Sequence, residues 1–300
     1  MSTTDRRILV TGASGNLGSL VLLHLTQTFH YPASQIVAAS RNPEKLSSWA
    51  EQGIEVRKAD FADPATLAEA FQGIDRLLLI STDSADNEVR LTQHHAAVEA
   101  AKAAGVPYVI YTSMPEPETS PVSFAHVHLT TENEVKASGS AWTILRNAWY
   151  FENLLFTVPG AVASGTLYSA AGDGKISYIS RSDLGRAAAA ALIAESGLEG
   201  KTLTVTGEEG FTIDDVAVRV SEAVGKPISV VHVPAEAIVQ GALAHGLPPV
   251  VAEMFASFDI ATLSGHLGIV TNDYGQLTGV KPQSFGEWLA ANKASFVSAV

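Results

Sequence analysis

The 300-residue sequence contains no cysteine, which removes disulfides, thiolate metal ligands and cysteine nucleophiles together and fits a reducing compartment. Cations are scarce. Nineteen Lys+Arg (19) stand against 31 Asp+Glu, a formal charge of −12, so no surface built to neutralise a phosphate backbone is expected and nucleic acid is not an expected partner. Long apolar runs are missing as well. The longest, Ala187–Ala194, is mostly alanine and falls short of the roughly 18 to 20 residues that span a bilayer. Behind Arg6 and Arg7, the run Ile8–Val10 is too short for the apolar core of a signal peptide, so no membrane association and a cytoplasmic location are expected. What is present, 46% hydrophobic and 17% charged residues, is enough for one large domain or two modest ones.

In the first half, short aliphatic runs alternate with longer Ala-rich segments of helical period, the pattern of a parallel sheet covered by crossover helices. Strands are expected at Ile8–Thr11, Gln35–Ser40, Ile54–Ala59, Arg76–Ile80, Tyr108–Thr112 and Trp142–Arg146. Helices are expected near Asn16–Phe29, Pro43–Gln52, Pro64–Gln72, Asn87–Ala104 and Phe124–Ser138. Asn42-Pro43 and Asp63-Pro64 read as caps followed by a first-turn proline, and Gly53, Gly73, Gly105 and Gly139 as helix stops. The rhythm breaks near residue 150. Beyond it, short strands are expected at Gly165–Ser169, Lys175–Ser180, Thr202–Thr206 and Ile228–His232, with helices starting near Ser182, Thr212, Pro234 and Pro248. The reading is a Rossmann-type, doubly wound α/β domain over 1–150 and a smaller α/β lobe over 151–300, partly interlaced with the first.

Ile8-Leu9-Val10-Thr11-Gly12-Ala13-Ser14-Gly15-Asn16-Leu17-Gly18 is a strand, a glycine-rich turn and a helix start in one run. Gly12 permits a tight turn, Gly15 a close approach of backbone to a diphosphate, and Gly18 close packing of the helix. The free amides and positive dipole of that helix start favour a pyrophosphate, so Gly12, Ala13, Ser14, Gly15, Asn16 and Leu17 are dinucleotide-binding candidates. An NAD-selective site places a carboxylate at the end of the second strand. Here that position reads Ala38-Ala39-Ser40-Arg41-Asn42, where Arg41, supported by Lys45, suits a 2′-phosphate, so NADP(H) is the expected cofactor. Asp60 and Phe61, closing the third strand, are candidates for the adenine.

Short-chain dehydrogenases carry Tyr-x-x-x-Lys after the fifth strand, the tyrosine as general acid. No tyrosine in this chain has lysine four residues on. Registering Glu132 and Val135-Lys136-Ala137-Ser138-Gly139 against that pattern puts Phe124 at the tyrosine and His128 at the lysine. His126 and His128, two apart, point to different helix faces, and His94-His95 reads as a surface pair. No phosphate-loop or nucleophile-elbow motif occurs, and no metal site is expected.

Taken together, these residues resemble the NmrA-like branch of atypical short-chain dehydrogenases, nearest its quinone oxidoreductase type 2 and triphenylmethane reductase group. The resemblance is carried by Thr11 to Gly18, Pro32 to Ala38 with Arg41-Asn42, Leu78-Leu79-Ile80-Ser81, Ala101 to Val106, Ala125-His126-Val127-His128-Leu129 with Thr131-Glu132, and Ala170 to Ile176. Its most specific carrier is Leu145-Arg146-Asn147-Ala148-Trp149-Tyr150 with Glu152-Asn153. The resemblance implies about six parallel strands, a small C-terminal domain, and NADPH passing hydride directly to an acceptor held between lobes. It also implies cofactor roles for Ser81 and Thr82 and for Asn147, Trp149 and Tyr150. His128 and Tyr150 are the candidate catalytic side chains, and Trp149, Tyr150 and Phe156 a candidate aromatic wall. The segments Thr82-Asp83-Ser84-Ala85-Asp86 and Met114-Pro115-Glu116-Pro117-Glu118 depart from the group's pattern, so its substrate preferences do not transfer directly. The expectation is an NADPH-dependent reductase of a small aromatic or quinone-like substrate, with homodimerisation as an option. The alternative is an NADP(H)-binding redox sensor without turnover.

Overall fold

The computed structural model describes residues 5–297. In chain order the elements are β1 (Ile8–Val10), α1 (Asn16–Leu23), β2 (Ile36–Ser40), α2 (Ser47–Ala50), β3 (Glu55–Lys58), α3 (Pro64–Ala70), β4 (Arg76–Leu79), α4 (Asn87–Ala103), β5 (Tyr108–Ser113), α5 (Ala125–Ala137) and β6 (Ala141–Asn147). There follow α6 (Leu154–Ser164), β7 (Thr166–Ser169), α7 (Arg181–Ile193), β8 (Lys201–Val205), α8 (Ile213–Val224), β9 (Ser229–His232), α9 (Ala235–Ala244), α10 (Pro249–Leu263), α11 (Asp273–Thr278) and α12 (Phe285–Val297). None of the described helices is long and apolar enough to cross a membrane.

Seven strands form one sheet in the order β3-β2-β1-β4-β5-β6-β8, and every pair from β3 to β6 is parallel. This is the Rossmann-like, doubly wound architecture that the alternation of runs predicts. The inner strands β1, β2, β4 and β5 are buried along their whole length, as a sheet covered on both faces requires. The edge strand β3 reads Glu-Val-Arg-Lys instead, and its Arg57 binds Glu55 at 2.7 Å; charge at an edge opposes pairing with another chain. A helix stop stands at each expected glycine, but Asn42 and Asp63 make no side-chain cap. Proline at the first helical position already removes one amide there, whereas Asp86 caps α4 through Glu88 N and Val89 N.

Two compact units emerge. One comprises 1–114, 127–147 and 181–203, the other 115–126, 148–180 and 204–300. Against a division at 150, α7 returns to the first unit because it lies on α1: a Cβ on Gly185 would stand 2.9 Å from Leu20 Cβ. Two arginines close its C-terminal end, Arg76 donating to Ala191 O and Leu192 O and Arg6 to Ala194 O.

The second unit has its own aromatic core. Phe151 stacks on Phe285 (5.2 Å, 12°) and Trp288 (5.3 Å, 24°), with Val158, Phe211, Val216 and Val220 around them. Its small sheet pairs β7 with β9 in parallel, and α8 begins with a capping box between Thr212 and Asp215. The strand expected at Lys175–Ser180 is not formed. Only isolated bridges occur there, Ile176 with Phe211 and Ile179 with Tyr150. The segment's amides go to three separate stretches of chain rather than to one partner strand: Ile176 N to Phe211 O (2.9 Å), Ser177 N to Leu267 O (2.8 Å) and Ile179 N to Trp149 O (2.9 Å).

Candidate dinucleotide site and its buried support

In the first unit, Gly12 holds φ +59° and directs the chain from β1 into the turn. Gly18 is required by the turn itself rather than by a strand, since its Cβ would lie 2.3 Å from Gly12 O and 2.8 Å from Ala13 Cα. Ala13 is buried and tied to β2 by Ala13 N to Ala39 O (3.0 Å), while Gly12, Ser14, Gly15 and Asn16 are exposed. Gly15, at the N-cap, offers α1 no side-chain cap, and the first turn carries no acidic residue. The opening amides of α1 thus keep their affinity for an anion.

Ser40 joins this turn to Arg41: its hydroxyl lies 2.7 Å from Ser14 Oγ and accepts from Asn42 N at 3.1 Å. Arg41 and Lys45 are exposed and, among the described residues, neither forms an ion pair. Cations left unpaired on a chain with an excess of carboxylates are open to an external anion. Asp60 Oδ1 accepts from Ala62 N at 3.0 Å, a local turn, and Phe61 packs partly buried against the core.

At the C-terminal ends of β4 and β5 the backbone amides are claimed from within. Ile80 N donates to Thr11 Oγ1 (2.9 Å), Ser81 N to Thr112 Oγ1 (3.0 Å) and Thr82 N to His94 Nε2 (3.0 Å). The expected surface pair His94-His95 is therefore corrected: His95 is exposed beside Glu134, whereas His94 is 0% exposed. Arg90, His94, Ala97, Val98 and Ala101 follow helical spacing on the buried face of α4, a stripe present in the sequence but hidden by its two polar members.

His128 is 4% exposed, while His126 is exposed on another face of α5. The Arg90 guanidinium lies 3.2 Å from His128 Nε2, and the Tyr111 hydroxyl lies 2.8 Å from Nδ1. A guanidinium can only donate, so Nε2 accepts and Nδ1 carries the ring proton. Burial, then the Arg90 charge, then His94, hold the imidazole far below its usual pKa and thus neutral. Both ring nitrogens of His128 are engaged in the interior. Beside it, Glu132 is fully buried and binds Ser113 Oγ (2.7 Å), Arg146 Nε (2.9 Å) and Lys136 Nζ (3.0 Å). Burial alone would raise its carboxyl pKa, but the bonds from Arg146, Ser113 and Lys136 outweigh it and hold the group below the usual range.

Asn147 ends β6 at 5% exposure, and among the described residues its Oδ1 has no hydrogen-bond partner. A buried amide oxygen left open at a strand's C-terminal end is where an open α/β sheet receives a ligand. The uncapped helix start, the unpaired cations and this open amide together fit a phosphorylated dinucleotide.

In the second unit, Trp149 and Tyr150 are half-buried. Their segment is pinned by Ile179 N to Trp149 O (2.9 Å) and Asn153 N to Tyr150 O (3.0 Å). Trp149 meets Phe258 edge to face at 5.1 Å, and Phe124 (5.9 Å) and Phe255 (6.0 Å) meet the same ring. All four rings stay partly exposed. Phe255 and Phe258 escaped sequence reasoning because α10 lies more than 100 residues from Trp149 in the chain. Phe156 is 76% exposed on α6 and, among the described residues, joins neither this cluster nor the core.

Residues 4–289 match the NmrA-like family. Quinone oxidoreductase 2 of Escherichia coli K12 is 41% identical over 260 residues, 87% of this chain and 89% of that protein. The crystal structure of NADPH-dependent quinone oxidoreductase QOR2 from E. coli with NADPH superposes with a TM-score of 0.89 at 38% identity, covering 95% of this chain and 99% of that one. Citrobacter sp. triphenylmethane reductase with NADP(H) gives 0.87 at 36%, covering 95% and 99%. The chain therefore belongs to the NmrA-like family.

Proposed function

We propose that the protein is an NADPH-dependent oxidoreductase that delivers hydride directly to a quinone-like or other conjugated aromatic acceptor. In this reading Gly12 to Leu17 hold the pyrophosphate, Arg41 and Lys45 the 2′-phosphate, and Asp60 with Phe61 the adenine. Ser81, Thr82 and Asn147 border the rest of the cofactor. Bound NADPH supplies the hydride, and the chain's task is to hold donor and acceptor within reacting distance.

The observation that carries the acceptor class is the engagement of His128. With both its nitrogens held inside and no Tyr-x-x-x-Lys pair, the usual proton donor for a simple ketone is missing from its place. Acceptors that spread the incoming charge over a conjugated system need that donor least. The partly exposed rings of Phe124, Trp149, Phe255 and Phe258 suit a flat aromatic molecule, and in this reading Tyr150 is the polar side chain that assists it. The names of the relatives, a quinone reductase and a dye reductase, support the same class.

Steady-state oxidation of NADPH against a panel of quinones and cationic dyes tests this, with turnover expected for several members. Absence of turnover above the uncatalysed rate, together with calorimetry showing that the protein distinguishes NADP+ from NADPH, would replace this reading with that of a redox sensor.

A further inference from the structure

We infer that His94 is a positioning residue for the cofactor, acting through the backbone of Thr82. The inference rests on the assignment of Ser81 and Thr82 to the cofactor's edge. The loop after β4 has few bonds of its own to hold it. Ser81 N is taken by Thr112 Oγ1 at the end of β5, and Thr82 N by the ring of His94 from α4.

The direction of every bond around His94 follows from chemistry. Thr131 Oγ1 donates its only proton to Val127 O at 2.8 Å, so it must accept from His94 Nδ1, 2.9 Å away. Nδ1 therefore carries the ring proton. Nε2 is left as an acceptor, which is the form that can receive Thr82 N–H at 3.0 Å and, at 3.3 Å, the Thr82 hydroxyl. The Tyr111 ring packs edge-on against the imidazole at 5.8 Å and closes it from solvent, and Arg90 lies one turn earlier on α4. Burial first and the Arg90 charge second keep His94 neutral, with a pKa of about 3. The imidazole is thus a fixed two-ended bracket: Thr131 on α5 sets its orientation, and its other nitrogen holds the loop. A histidine used only to fill space would need neither end. One used as a proton carrier would need a face open to a ligand.

Two substitutions separate the ends. His94→Asn keeps a donor near Nδ1 for Thr131 and loses the reach to Thr82, whereas His94→Gln can place an amide oxygen near Nε2. NADPH affinity by fluorescence titration is expected to weaken about tenfold in His94→Asn, the scale of one lost hydrogen bond, and to stay within about twofold of wild type in His94→Gln. The turnover number at saturating NADPH is expected to move less than about twofold in both, since the loss is one of cofactor placement. If both variants lose thermal stability alike and both bind NADPH as wild type does, the role is structural and the inference fails.

Should either variant not fold, the amide resonances of Ser81 and Thr82 in the wild-type protein still decide. Slow hydrogen exchange at Thr82 N–H in the free protein is expected, and rapid exchange there would overturn the bracket. The same spectra, titrated with NADP+, separate this inference from the cofactor reading. If the Gly12 to Leu17 amides shift at saturation while Ser81 and Thr82 do not, the segment's assignment is wrong. If Ser81 and Thr82 shift but His94→Asn keeps full affinity, only the positioning role is wrong.

Discussion

At the Gly12–Gly18 turn the chain leaves polar groups open: the first amides of α1 lack a side-chain cap, and Arg41 and Lys45 stand exposed beside it. Under the ends of β4 and β5 the same unit does the reverse, drawing Arg90, His94, His128, Tyr111 and Glu132 into the interior and joining them to one another or to neighbouring hydroxyls. The contrast separates two uses of polarity. On the proposed reading, groups that meet the cofactor keep unsatisfied bonding capacity at the surface, and groups that hold those segments in place spend theirs inside. Each region should therefore fail in its own way when altered: the turn by losing the cofactor directly, and the interior by losing stability or, at His94, by releasing the segment it holds.

The largest effect is expected at Glu132. Glu132→Ala removes the partner of Arg146, whose side chain is 13% exposed, and should cost about 3–5 kcal/mol in chemical denaturation, as for other broken buried pairs. Acid comes next. A histidine kept neutral by burial has a folded pKa below its unfolded value near 6.5, so its stabilisation is complete above about pH 6.5 and is lost as pH falls toward the folded value, about 3 for His94. His94 should thus cost on the order of 2 kcal/mol by pH 5, and His128, whose pKa is also lowered by burial, should add a loss of the same sign, read together as a falling unfolding midpoint. An unfolding midpoint flat between pH 7 and pH 5 would break the account of the interior.

Smaller effects belong to the turn. Gly18→Ala forces a Cβ against Gly12 O and should cost about 1–3 kcal/mol of stability while abolishing measurable NADPH binding; retained binding would mean that the turn is not the phosphate site. Arg41→Ala should leave stability unchanged and weaken NADPH about tenfold, with NADH affinity unaffected, in paired titrations of the two cofactors. Equal losses for both would place Arg41 elsewhere than at the 2′-phosphate.

The open region was legible in the sequence and the closed one was not. Gly12 and Gly18 shape the turn and Arg41 stands exposed by its local position, features that a run of neighbouring residues displays. His94 reads as a surface residue because its partners, Thr82, Thr131 and Tyr111, come from three other segments. His128 was placed at a site by register, but its burial depends on Arg90 and Tyr111, which no register shows. The same holds in the second unit, where Phe258 meets Trp149 across more than 100 residues of chain. The sheet from β3 to β6 was foreseen, its inner strands because they are buried on both faces and so read as apolar runs, whereas β8, from the stretch assigned to the smaller lobe, joins the main sheet beside β6. The strand expected at Lys175–Ser180 fails because its amides are taken by Phe211, Leu267 and Trp149, partners from three distant stretches that no local run displays.

The most direct test is an anaerobic single-turnover mixture of the purified protein, NADPH and one quinone. Consumption of NADPH matched one for one by hydroquinone, at a rate that depends on the protein, is the predicted result. NADPH left unoxidised beside bound quinone would contradict the account.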